Sequence, residues 1–397
     1  MKQILLMLLP LLVHAAPLDV IIENALASHH SLQAIQERLY AEDYQVSATR
    51  NFANPEIAFA INDIQFGDIT DRSLEPMQTS SVTLKQKFPS FGKRDAATER
   101  SRAKKLVTAL SLEEAKVKLV ERIKMSAYGI WEVDKELKVI GEYIKVTQQN
   151  IELNTAFSAT RTSSHMGIMS AELTLSQLKI KKSRYESMRK TLYAKLSYLA
   201  GQAVTSVDVD LQVHAPKEME FYTQKLANNR GYGAKSAEVQ VAQSDIKVQA
   251  LSGNVDPFVQ VGYFYRQAYN DYVNVGFAMA LPIYGTESDN TEAARKMALS
   301  KASESQDYFE QLRGDLGGLY AQLEDAYVIY RIIHDESMPQ IEHMFELTGA
   351  SVKSGQDLFV YIDLLKQKLA LDEQLIKATV RFNMTEASLD AMTGETR

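Results

Sequence analysis

"QKFPSFGKRDAATE", residues 86–99, decides how the whole chain reads. Just before it, Val82, Leu84 and Phe88 alternate with Ser81, Thr83, Lys85 and Lys87, the period of a strand. Pro89 then ends strand pairing because it has no N–H. Gly92 frees the backbone at a corner, and Asp95 and Glu99 suit the first turns of a helix. "MALPIYGTESDNTE", residues 279–292, repeats the arrangement 193 positions later. Pro89 meets Pro282, Phe91 meets Tyr284, Gly92 meets Gly285, and Thr98-Glu99 meets Thr291-Glu292.

The correspondence runs outward in both directions. "LYAKLSYLAGQ" (192–202) faces "TEASLDAMTGE" (385–395), with Gly201 on Gly394, and Leu26-Ala27 faces Leu226-Ala227. Similarities in the same order along both halves predict a tandem duplication, 18–201 and 219–394, joined by a linker at 202–218. Each half reads as a helix, two strands, a very long helix and a shorter one. The strands are expected at about 55–66 and 79–89, then at about 257–266 and 272–282. The long helices are expected at about 93–157 and 287–352.

Ile57, Phe59 and Ile61 alternate with polar or small residues, as do Val259, Val261, Tyr263 and Tyr265, and then Val273, Val275, Phe277, Met279 and Leu281. Such period-two strands fit a barrel with lipid outside and water inside, or a soluble sandwich. The N-terminus favours the barrel. MKQILLMLLPLLVHAA carries one Lys, an apolar run from Ile4 to Val13 and small residues at Ala15 and Ala16, which predicts a secretory signal peptide over 1–16. No later stretch holds eighteen consecutive apolar residues, so any membrane crossing must be β-structure. Four strands cannot close a membrane barrel, and open edges are intolerable in lipid, so several chains must share one.

Composition narrows the function. A net charge of −6 and the lack of a basic cluster argue against a nucleic-acid partner. The absence of cysteine excludes disulfides, thiol catalysis and zinc–thiolate sites. No glycine-rich phosphate loop or catalytic triad signature is present, so the expectation is no enzyme and no cofactor. No proline lies between Pro89 and Pro216. Ile130, Val133, Leu137, Ile140 and Ile144 are spaced as a coiled-coil seam, and so are Leu358, Ile362, Leu365 and Leu369 before a polar Asp372. A helix over 93–157 would be roughly 95 Å long, far more than a globular core needs.

With these features together, the chain resembles the TolC-like outer-membrane factor family. The carriers are "TLKQKFPSFGKR" (83–94), "AMALPIYGTES" (278–288), "SGQDLFVYIDLLKQKLAL" (354–371) and the terminal "LSYLAG" and "LDAMTG" blocks. The resemblance implies a mainly α fold with β: a homotrimer with a twelve-stranded barrel in outer-membrane lipid, continued by a periplasmic coiled-coil tunnel. It implies a passive exit channel of a tripartite efflux system, docked on a periplasmic adaptor (membrane fusion) protein and an inner-membrane pump of the resistance-nodulation-division type. "QKFPSFGKR" and "MPQIEHMFELTGASVKSGQDLF" (338–359) look most like members serving heavy-metal efflux. The exit duct of a type I protein-secretion system and a non-channel periplasmic coiled-coil protein are the competing readings.

Asp363 and Glu172 occupy related positions after the two tip turns, with Asp357 a weaker companion. Facing a lumen under three-fold symmetry they would form carboxylate rings favouring cations. Facing outward they would be solvated, or paired with Lys366 or Lys179. Members of the resembled family often carry two aspartates near the tunnel mouth; here Lys366 stands three residues after Asp363. Gly167 and Gly355 lie near the tips, suited to a gate or docking loop or to plain helix capping. "SSHMGIM" (163–169) offers His165, Met166 and Met169 as soft metal donors, though methionine is more often a gap-filler. His29-His30 reads as a solvated helix face, and Pro339 is expected to kink the second long helix.

Overall fold

The computed structural model describes residues 16–158, 164–352 and 358–395. The first half contains β1 (Ala16–Pro17), α1 (Leu18–Ser28), α2 (His30–Ala48), β2 (Glu56–Asn62), β3 (Thr79–Lys87), α3 (Lys93–Ser158) and α4 (Ser164–Ala200). After β4 (Val207–Asp208), which pairs in parallel with β1, the second half contains α5 (Met219–Lys225), a 3₁₀ turn at Leu226–Asn228 and α6 (Arg230–Ser252). β5 (Pro257–Tyr265), β6 (Tyr272–Met279) and α7 (Thr286–Arg331) follow. A π-helical stretch (Ile332–Ser337), α8 (Met338–Val352) and α9 (Leu358–Met392) complete it. The chain forms two compact units, one of Ile35–Ser111 with Gly231–Phe309 and one of the remaining described residues.

The first unit holds one antiparallel sheet in the order β2-β3-β5-β6. Its register lines up Phe59, Val82, Tyr263 and Val273 in one row and Ile57, Leu84, Val261 and Val275 in the next but one. All eight stand on the same face, and each is at least 41% exposed. Two of the alternate rows are small or polar, Ala58, Thr83, Gly262 and Asn274, then Glu56, Lys85, Gln260 and Gly276, whereas Phe258, Phe264 and Tyr272 stand at the ends of the same face. Glu56 and Lys85 pair across the strands at 3.5 Å. A Cβ at Gly262 would sit 2.8 Å from the Phe264 ring and 2.9 Å from Thr83 Oγ1, so a larger residue there must displace those side chains. β2 and β6 each pair on one side only, so the sheet ends in two open edges among the described residues.

The second unit is a bundle. Along α3, Ile123, Ala127, Ile130, Val133, Glu136, Ile140, Tyr143 and Thr147 are all buried, at steps of three and four. The seam drawn from sequence therefore shifts: Glu136 and Tyr143 take the buried positions, whereas Leu137 and Ile144 are only partly covered. Both halves open with a broken helix. α1 ends at His29 (ψ 123°) and the 3₁₀ turn before α6 ends at Asn229 (ψ 125°), 200 positions apart. His29 is not solvated as expected. It is 8% exposed, set edge-on against Tyr198 at 5.8 Å, with its pKa lowered by burial and by the nearby charges of His30 and Arg122. The distortion expected at Pro339 takes the form of the π-helical stretch just before it, where the Met338 N–H bonds back to the Ile333 carbonyl. Proline cannot supply the α-helical bond to residue 335, and a local π register absorbs the loss. Among the described residues, no helix is long and apolar enough to cross a membrane.

Candidate functional site

The two strand-to-helix corners are built alike at the backbone. Gly92 has φ +87° and Gly285 has φ +80°, a conformation that side chains disfavour, and each glycine carbonyl accepts the first helical N–H groups. Pro89 and Pro282 lie just past the paired residues of β3 and β6. The same conformation returns at Gly201 (φ +67°) and Gly394 (φ +78°), closing α4 and α9.

Their side chains differ. At the first corner Asp256 is a clamp: Oδ1 accepts the Ser90 N–H at 2.9 Å and Lys93 Nζ at 2.8 Å, while Lys87 Nζ lies 3.5 Å from Oδ2. Burial would raise this carboxyl, but Lys93, the Ser90 N–H and Lys87 outweigh it and hold the pKa below the usual range. Lys93 also donates to the Asn254 carbonyl at 2.6 Å. In sequence, Asn54, Ile283 and Thr286 correspond to Asp256, Ser90 and Lys93, so the duplicated positions do not repeat the acid–lysine pair. A cleft of about 370 Å³ beside it is lined by Glu56, Lys85, Lys87, Lys93, Asp256 and Glu287 among others.

In the bundle, α3, α4 and α9 share an apolar core of Ile140, Tyr143, Ile168, Ala171, Leu178, Ile362 and Leu365. Glu172 follows buried Ala171 and Asp363 follows buried Ile362, and both carboxylates are exposed. Asp363 accepts a 2.8 Å hydrogen bond from Gln367. Neither forms an ion pair with Lys179 or Lys366 among the described residues. Gly167 is buried in the first turn of α4, and Met166 and Met169 beside it are 76% and 62% exposed. Asp357 and Gly355 lie outside the described residues. No group of three His, Asp or Glu side chains suited to a metal ion occurs among the described residues.

Sequence reasoning missed a layer of charge inside this bundle. Glu136 of α3 is fully buried between Val133 and Ile140. Lys181 of α4 forms an ion pair with buried Glu373 of α9. Burial, then the Glu373 charge, pushes the Glu136 carboxyl up to about 7, against the pull of Lys181 and Lys377. Burial also raises Glu132, one turn away, opposed by Lys377. The only signal for this layer is a glutamate beside an apolar seam, which periodicity assigns to the solvent side.

Residues 21–202 match the family model described as outer membrane efflux protein. The fold of this chain is similar to the outer membrane protein VceC from Vibrio cholerae, with TM-score 0.79 and 14% identity, over 96% of this chain and 97% of that one. It is similar to the MtrE outer membrane channel of Neisseria gonorrhoeae in its open state, with TM-score 0.77 and 15% identity, over 96% and 89% of the two chains. It is also similar to a membrane protein from Pseudomonas aeruginosa, with TM-score 0.79 and 13% identity, over 95% and 90%. A comparison with curated proteins finds no match. This chain thus has the TolC-like fold of the outer-membrane channels it is similar to.

Proposed function

We propose that this chain is an outer membrane efflux channel, three copies of which close a twelve-stranded barrel and passively conduct substrate outward. An inner-membrane pump, of the resistance-nodulation-division type, supplies substrate and energy through a periplasmic adaptor. The observation that carries the reading is the sheet: one apolar face exposed across four strands, a face with its small and polar rows behind it, and two open edges. Lipid covers the first, water the second, and neighbouring copies the third. Exposed Asp363 and Glu172 then act as carboxylate rings at the periplasmic mouth, favouring cations, and the heavy-metal subtype suggested by the tip sequence is compatible with that preference.

Conductance of the purified protein in a planar bilayer tests this, with trivalent cations added on the periplasmic side. Discrete steps that the cations block, and block less after Asp363→Ala, support both channel and mouth. Steps with unchanged block remove Asp363 from the mouth. Protein that stays soluble without detergent and never inserts overturns the channel.

A further inference from the structure

The charged layer in the bundle is costly and has no part in lining a sheet or a corner. Glu136 is fully buried, and neither of its carboxylate oxygens has a partner at hydrogen-bond geometry, although the Tyr185 hydroxyl faces it. Every element packed around it presents titratable groups. α3 itself contributes Glu132, α4 contributes Lys181 and Tyr185, and α9 contributes Glu373 and Lys377. Three carboxylates thus share two lysines, and Lys181 is already engaged by Glu373. An unpaired buried carboxylate is far more expensive than the neutral acid.

We propose that Glu136 is a proton-binding site within the bundle, and that its ionisation makes it compete with Glu373 for Lys181, loosening α4 and α9 from α3. Protonated, Glu136 sits neutral beside an intact Lys181–Glu373 pair, and the three helices pack as described. Ionised, it can accept one bond from the Tyr185 hydroxyl, which leaves its other oxygen unpartnered, and it has two ways to relieve that. It draws Lys181 across and strands Glu373, or it admits water between the helices. Either route opens the layer between Val133 and Ile140. The carboxyl's raised affinity for protons puts the change near neutral pH. The inference rests on the bundle alone and is independent of what the channel carries.

Infrared difference spectroscopy of the full-length protein in lipid, between about pH 6 and pH 8.5, reads the proton directly. The protonated-carboxyl stretch of the wild type is expected to fade with a midpoint near 7, and Glu136→Gln is expected to abolish that change. Amide exchange over the helices flanking the layer should be faster in the wild type than in Glu136→Gln at pH 8.5, and equal at pH 6. Glu373→Gln provides a second route if Glu136→Gln does not assemble. Freeing Lys181 for Glu136 should move the midpoint down by about one unit. A carboxyl band unaffected by Glu136→Gln, or a midpoint indifferent to Glu373→Gln, overturns the proposal. So does a titration with no accompanying change in exchange.

Discussion

The Tyr143 hydroxyl donates a 2.7 Å hydrogen bond to Asp372 Oδ2, tying α3 to α9 across 229 residues of chain. Asp372 stands where the α9 seam calls for an apolar residue, and burial raises its pKa against the pull of the Tyr143 bond and Lys368. Tyr143→Phe leaves that half-buried carboxylate without its donor, which should cost about 1–3 kcal/mol. Replacing both partners by apolar groups removes the orphan, so Tyr143→Phe with Asp372→Leu should recover most of the loss. Thermal unfolding of the four proteins in one detergent measures the coupling. Purely additive losses would mean the hydrogen bond does not matter.

That pair also marks where sequence reading stops. The strand-to-helix corners were legible because their markers are chemically unambiguous. Only glycine adopts positive φ readily, and the four positive-φ glycines fall into two pairs, Gly92 with Gly285 and Gly201 with Gly394, each 193 apart. The exposed face of the sheet was legible because a strand has only two faces and period two separates them. A helix packed by two neighbours buries a broad arc, and here the choice between Glu136 and Leu137, or Tyr143 and Ile144, is a rotation of one residue. Hydrophobicity chose Leu137 and Ile144, whereas tertiary packing buries Glu136 and Tyr143. The breaks at His29 and Asn229 have no proline or glycine at the broken position to announce them, and Pro339 announced a distortion but not its π-helical form.

The paired glycines differ in how much room they have. Gly285 has φ +80° and nothing within 4 Å of an added Cβ. Gly285→Ala should therefore cost only the left-handed backbone penalty of about 1–2 kcal/mol. Gly394 has φ +78°, but a Cβ would lie 2.8 Å from the Asn228 carbonyl oxygen, a backbone atom that cannot swing aside. Gly394→Ala should lower the melting temperature markedly more. Equal shifts in the two variants would show that the close approach to Asn228 is relaxed in solution.

Glu136 gives the bundle a pH dependence whose sign is fixed. Its folded pKa of about 7 lies above the ordinary carboxyl value of 4.5. Stability tied to the protonated form is complete below about 4.5 and is lost as pH rises through about 7. The loss is at most about 3 kcal/mol. Glu136→Gln should unfold at a higher temperature than the wild type at pH 8, with the gap closing toward pH 5. A gap constant with pH would mean the substitution acts through packing alone.

Asp256 should behave in the opposite sense. Its carboxyl is held below the ordinary 3.8, so its contribution is present above that value and is lost as pH falls through the lower folded value. Asp256→Asn keeps the shape but gives up the charge that Lys93 and Lys87 share, and should cost about 1–2 kcal/mol at pH 7. The wild-type advantage should shrink steadily from pH 4 toward pH 2. Thermal unfolding of the two proteins across that range checks the sign, and an advantage that stays constant with pH would mean that the lysines do not hold the carboxylate charge.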